Sequence, residues 1–132
     1  MDVFEIRTHK RNEMIDITEG IREYVHKQKV KSGILVLYVP HTTAAVTINE
    51  HADPSVRADI TEFLSRLIPK SANFRHLEGN SDAHIKSTIV SPSISLIIEN
   101  GDIVLGTWQG IFFCEFDGPR NRKLFAKIIR ES

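Results

Sequence analysis

Ser93-Ile94-Ser95-Leu96-Ile97-Ile98-Glu99-Asn100-Gly101-Asp102-Ile103-Val104-Leu105 is the stretch that decides the fold class. Its first seven residues are mostly aliphatic or β-branched, which suits a strand. Asn100-Gly101 tolerates positive φ, so it predicts a tight hairpin turn. Ile103 to Leu105 then continues the sheet. After Gly106-Thr107-Trp108-Gln109-Gly110 another strand is expected over Ile111 to Phe116. Asp117-Gly118-Pro119-Arg120 turns the chain, and Lys123 to Arg130 alternates as a closing strand. These late strands follow one another without helices, so they form an antiparallel portion.

The first half is more mixed. Val3 to Thr8 alternates as a half-exposed strand, and Met14 to Ile17 extends it or pairs with it. A helix starts at Thr18 and ends around Lys29 to Gly33. Gly33 to Val39 is nearly all aliphatic, which predicts a central strand buried on both faces. Thr42 to Ile48 reads as a neighbouring strand. Asp53-Pro54 is a helix start, with Asp as cap and Pro at the first helical position. Val56, Ile60, Phe63, Leu64 and Leu67 then form a stripe at helical spacing, ending before Pro69. Lys70 to Ser81 is a polar loop, and Ser81 or Asp82 caps a further helix through Ile89. Strands and helices do not alternate as regular βαβ units. The expected class is therefore α+β: one compact domain over residues 1–132, with a largely antiparallel or mixed sheet packed by helices.

The composition excludes several classes. An apolar fraction of 41% supports a core, and 17 basic residues balance 17 acidic ones. Zero net charge argues against a nucleic-acid partner, and the apolar runs fall well short of the ~20 residues of a membrane span. The single cysteine, Cys114, has no partner for an internal disulfide, and Met1 to Glu5 does not resemble a secretory signal. A cytoplasmic location is the resulting expectation.

Chemistry concentrates in Asn73-Phe74-Arg75-His76-Leu77-Glu78-Gly79-Asn80-Ser81-Asp82-Ala83-His84. Partners for it are expected between Pro40 and Pro54. His41, His76 and His84 form a candidate ligand set for a divalent metal, with zinc the leading ion and magnesium or another ion as alternatives. A phosphate site without metal, or solvated histidines with no chemical task, fits the same residues. Arg57, Arg75 and Arg120 are candidate phosphate contacts, and Lys86 faces either a phosphate or solvent. Acid–base work falls first to Glu50 and Asp59, next to Glu78 and Glu115. Glu115 interrupts an apolar run, so it points outwards or is an inward carboxylate held by metal, Arg or His. Cys114 is read as packing, and His51 is a reserve ligand beside Glu50. Trp108 and Gln109 either line a pocket, stacking on and reading a flat ring, or Trp108 belongs to the core.

Several of these blocks together resemble one known family. They are His41-Thr42-Thr43-Ala44, Asn49-Glu50, Asp53-Pro54, Arg57 with Asp59, Phe74-Arg75-His76 and Glu78-Gly79-Asn80. Ala83-His84-Ile85-Lys86-Ser87, Gly106-Thr107-Trp108-Gln109-Gly110 and Glu115-Phe116-Asp117-Gly118-Pro119-Arg120 complete them. In this order the sequence resembles the YjbQ family, associated with secondary thiamine-phosphate synthase activity. The short connection between His76 and His84 is similar to that of its shorter-loop members. The resemblance implies a compact α+β homotrimer with pockets near subunit boundaries. It also implies a phosphorylated small-molecule substrate, with His41, His76 and His84 as metal or phosphate ligands. Glu50, Asp59 and Glu115 become supporting carboxylates, and Arg57, Arg75 and Arg120 anion contacts. A metal-assisted phosphate-ester hydrolase and a non-catalytic binder of a phosphorylated metabolite remain as alternatives.

Overall fold

A computed structural model describes residues 1–131. The elements run β1 (Asp2–Arg7), β2 (Glu13–Asp16), α1 (Thr18–Lys27), β3 (Gly33–Tyr38), β4 (Ala44–Glu50), α2 (Pro54–Leu67) and α3 (Ser81–Val90). They continue with β5 (Ser93–Glu99), β6 (Asp102–Ile103), β7 (Gln109–Glu115) and β8 (Asn121–Arg130). The strands form two sheets, β1-β8-β3-β5-β6 and β2-β7-β4, and every pairing is antiparallel. The α+β expectation therefore holds, with two sheets in place of one.

The hairpin at Asn100-Gly101 forms as its residues demand. Asn100 has φ 52° and Gly101 φ 79°, and Glu99 pairs with Asp102 across the turn. Positive φ at both central residues matches the twist of the flanking strands. Its second strand is shorter than expected, covering Asp102–Ile103 and stopping before Leu105.

Three local expectations are corrected. Met14 to Ile17 pairs with β7 and not with β1, and β4 also pairs with β7 and not with β3. The strand most extensively buried on both faces is β7, with the Ala44 to Val46 stretch of β4 beside it. Ile111 and Phe113 point into the core shared with the large sheet and α1, while Phe112 and Cys114 point into a second core under α2 and α3. By contrast, β3 buries Leu35 and Leu37 but leaves Ile34 46% and Tyr38 48% exposed. An aliphatic run shows that a strand is apolar; which of its faces is covered depends on the next layer.

The two sheets are clamped at one end by a buried ion pair. Glu115, at the end of β7, is fully buried, and Arg122 near the start of β8 is 5% exposed. Arg122 Nε donates to Glu115 Oε1 at 2.8 Å and Nη2 donates to Oε2. Thr8, just past β1, donates its hydroxyl to Oε1 at 2.8 Å, and the Phe116 and Asp117 N–H groups donate to Oε2 at 3.0 Å. Arg122 Nη2 also reaches Thr43 Oγ1 at 2.8 Å, just before β4. Burial alone pushes the Glu115 carboxyl up, but Arg122, the Asp117 N–H and Thr8 outweigh it and hold the group below the usual carboxylate range.

Removing one partner leaves the other charge buried and unpaired. Arg122→Met or Glu115→Leu should each cost about 3–5 kcal/mol in urea unfolding, and the double variant should cost less than the sum. Because the folded pKa of Glu115 is depressed, its contribution is present above the unfolded value of about 4.3. It is lost as pH falls through the folded value. A wild-type acid-unfolding midpoint unchanged in Glu115→Leu would refute that assignment.

Candidate functional site

Helix α3 separates the sequence candidates into two places. Successive helical residues are about 100° apart, so His84 and Lys86 project from opposite sides. His84 borders two depressions. One, about 570 Å³, is also lined by Tyr38, His41 and Ser87. The other, about 430 Å³, is lined by Arg75, His76, Ser81 and Ile85. The His76 and His84 rings meet edge to face with centroids 5.5 Å apart. Arg75 and Ser81 thus bring a cation and the start of α3 to the same hollow, where the helix dipole favours negative charge.

The three histidines do not close into one ligand set. His41 Nε2 accepts the Lys123 N–H at 2.9 Å. His76 Nε2 lies 3.1 Å from Asn80 Oδ1 and 3.7 Å from Glu78 Oε2. Among the described residues no group of three or more His, Cys, Asp or Glu side chains is placed to hold a metal ion. His51 is engaged elsewhere: its Nδ1 is 3.0 Å from Asp16 Oδ2. Its ring lies where a Cβ on Gly110 would collide with it, so this close approach needs glycine.

Lys86 faces neither phosphate nor solvent. It is 1% exposed, and its Nζ lies 3.0 Å from Asn12 Oδ1 and 3.5 Å from Asp82 Oδ2. Burial lowers its pKa more than Asp82 restores it. Asp82 and Asp117 share Arg11, at 3.0 and 3.2 Å, and Asp117 also takes Arg120 at 2.9 Å and the Asn80 amide at 2.9 Å. The Glu78-Gly79-Asn80 and Asp117-to-Arg120 blocks therefore meet in an ionic knot that seats the start of α3. Arg120, expected on an anion, is held by Asp117 in this knot. Burial pushes the Asp117 carboxyl up, and Asn80, Arg120 and Arg11 more than offset it, leaving it low. Sequence reading missed Arg11 because it stands outside every motif. Only the fold brings it to Asp82 and Asp117.

The remaining candidates scatter. Glu115 is the clamp described above, with both oxygens engaged, so it is a structural carboxylate and not a free base. Glu50 Oε2 accepts the Ala52 N–H at 2.9 Å in the turn before α2. Asp59 is exposed on α2 beside a shallow depression with Asn49 and Phe63, away from the histidines. Trp108 is 63% exposed, so it is not core, and Gln109 Oε1 closes its own turn by accepting the Gly106 N–H at 2.7 Å. Arg57 reaches Met14 O at 3.4 Å and stacks over Phe112 on the far side of α3. Burial pushes the Cys114 thiol up to about 12, so it is not a thiolate at neutral pH.

His41 is held neutral. Burial lowers its pKa first, and the Arg122 guanidinium acts in the same direction. A ring that accepts a backbone N–H at Nε2 carries its proton on Nδ1. Nitrogen NMR should show that tautomer, with less than half of the rings charged at pH 6.5, where a free histidine is about half charged. The folded state disfavours the charged ring, so the stabilising effect is full above the unfolded pKa and declines as pH falls through the folded one. A ring already half protonated at pH 6.5 would contradict the placement.

Comparison with known proteins bears on the family and the fold. The family described as UPF0047 protein YjbQ-like matches residues 2–131. A UPF0047 protein of Methanocaldococcus jannaschii is 62% identical over 126 residues, covering 96% of this chain and 91% of its own. The YugU protein of Bacillus subtilis is 46% identical, covering 98% of each chain. Among solved structures, an uncharacterised YjbQ/UPF0047 protein of Clostridium acetobutylicum superposes with a TM-score of 0.95 at 48% identity, covering 98% of this chain and 100% of the other. A YjbQ-like protein of unknown function from Sulfolobus solfataricus gives 0.94 at 32% identity, covering 98% and 96%. With its fold and its sequence matched end to end, the chain belongs to the YjbQ (UPF0047) family.

Proposed function

We propose that the hollow of Arg75, His76, Ser81 and His84 holds the phosphate groups of a small metabolite, and that the chain is a thiamine-phosphate-synthase-like transferase. The observation that carries the first half is the convergence of Arg75, two histidine rings and the start of α3 on one depression. The reaction comes from the resemblance to the YjbQ family.

In that reaction the thiazole nitrogen attacks the methylene carbon of hydroxymethylpyrimidine diphosphate. The new C–N bond forms as the C–O bond breaks, and pyrophosphate leaves with the electron pair. The protein's task is to stabilise the charge growing on the leaving group. Arg75 supplies a permanent cation, and the start of α3 supplies oriented dipoles. His84 adds a ring N–H donor between the two depressions, and the pyrimidine would lie in the larger hollow beside His41 and Tyr38. His76 and His84 are the residues that would supply ring nitrogens to zinc or another divalent ion, whose chemistry would be Lewis-acid stabilisation of the leaving group, but among the described residues they lack a third ligand.

Two exposed apolar patches support a homotrimer. The outer face of the large sheet presents Ile34, Tyr38, Ile97 and Ile129, and the helical side presents Phe63, Leu67 and Ile89. Two different patches on one chain suit a head-to-tail ring. Tyr38 belongs to one of these faces and also lines the His41–His84 hollow, so the site would border a neighbouring subunit. No described helix is long and apolar enough to cross a membrane.

Supplied with the two phosphorylated precursors, wild-type protein should form thiamine phosphate and release pyrophosphate. His84→Ala and Arg75→Ala should each lower the rate by about 100-fold or more. Turnover unchanged in His84→Ala would overturn the site. Retention of the precursors without turnover would favour a binding protein instead. Light scattering should give three chain masses, falling to one in Ile97→Lys; a wild-type monomer would overturn the ring.

A further inference from the structure

On the other side of α3 lies a space that none of these roles uses. Helix α2 meets the core under the three-stranded sheet through the half-buried Ile60 and Leu64, and none of its side chains is fully buried. Below it the sheet offers short side chains, Ala45 and Cys114, and a chamber of about 250 Å³ remains between them. Met14, Ile60, Leu64, Cys114 and Phe116 line its apolar wall. A dry apolar cavity of about 150 Å³ already accommodates benzene. A cleft of about 440 Å³ shares Asn12, Glu13, Met14 and Thr61 with the chamber, and so forms its mouth.

The mouth carries charges of both signs, Lys10 and Arg57 with Glu13 and Glu62. The buried Arg57 Nε–H has no acceptor among the described residues. The guanidinium rests 5.1 Å above the Phe112 ring, and its contact with Met14 O is long at 3.4 Å. Neither carboxylate is paired with Arg57: Glu13 accepts the His9 N–H at 2.8 Å, and Glu62 lies 3.8 Å from Arg66. A buried, unanswered donor beside an apolar chamber is an arrangement that a ligand completes.

We infer that this chamber binds a small amphiphilic anion, with an apolar chain or ring beneath α2 and a phosphate or carboxylate on Arg57. The inference is independent of the transferase reading, because His84 and Arg75 take no part in it. Binding would add packing against Ile60 and Leu64 of α2.

The protein contains two methionines, Met1 and Met14. Methyl-labelled methionine therefore gives one reporter in the chamber wall and one control, Met1, that is 72% exposed. Hexyl phosphate, hexanoate, hexanol and inorganic phosphate are the probes. Hexyl phosphate or hexanoate should shift the Met14 methyl saturably and leave Met1 in place, and which of the two binds more tightly identifies the head group. Hexanol should bind at least about tenfold more weakly, the loss of one charge-assisted hydrogen bond. Inorganic phosphate should not move Met14. Arg57→Gln should weaken the anionic probes about tenfold and leave hexanol unchanged, while His84→Ala should change nothing. A Met14 resonance that ignores both anionic probes, or responds equally to hexanol, overturns the proposal. So does binding unaffected in Arg57→Gln.

Discussion

Glu115 and Arg122 are the interaction on which the layers of this protein depend. A carboxylate on the most buried strand receives five donors, from Arg122, Thr8 and two backbone N–H groups. Those donors come from beyond β1, the turn after β7 and β8, and Arg122 also holds Thr43 before β4. One ion pair therefore joins the ends of both sheets. An apolar pair of the same volume would fill the space, but it would not specify which ends meet. Desolvating two charges is costly, and the cost is recovered only when every lone pair is answered. That condition fixes the geometry, because a shifted strand would leave a charge unanswered.

The clamp also sets the position of the histidine site. His41 stands between β3 and the Thr42-Thr43 turn, and Arg122 pins that turn through Thr43. The same guanidinium helps to keep the His41 ring neutral. At the other end of the site, the ionic knot of Arg11, Asp82, Asp117 and Arg120 seats the first turn of α3. Two buried networks thus hold the elements that carry His41 and His84. The loop carrying Arg75 and His76 is tied more lightly, through Asn80 and Gly79. A site of this kind has rigid walls on one side and an adjustable rim on the other, the arrangement expected where a ligand must enter.

Much of the architecture was legible because local chemistry and global fold agree. Asn100-Gly101 admits one tight turn, Asp53-Pro54 starts a helix, and Leu124 and Ala126 alternate inward as a strand requires. Legibility failed where the answer depended on a second layer. The apolar run of β3 resembled a doubly buried strand, yet it is β7 and the start of β4 that have a layer on both sides. The site was legible only in part for the same reason. His76 and His84 are close in sequence and meet in space. Lys86 is closer still to His84 but lies on the opposite side of α3, where Asn12 and Asp82 take its charge. Arg11 carried no signal at all, since its role exists only across the assembled fold.

Charge placement decides what kind of ligand this chain suits. With 17 basic and 17 acidic residues the protein has no long-range field to gather a polyanion. Its buried cations are nearly all answered by carboxylates within the fold, so they do not add to a surface patch. What remains is a few cations with space in front of them: Arg75 beside the histidines, and Arg57 with Lys10 under α2. Nucleic acid is held by many phosphate contacts spaced along a groove. A small phosphorylated molecule needs one or two contacts in a concave, partly apolar setting. The hollows on the two sides of α3 both have that second character, and they differ in what stands beside the cation. One offers two histidine rings. The other offers an apolar wall that no part of the chain fills.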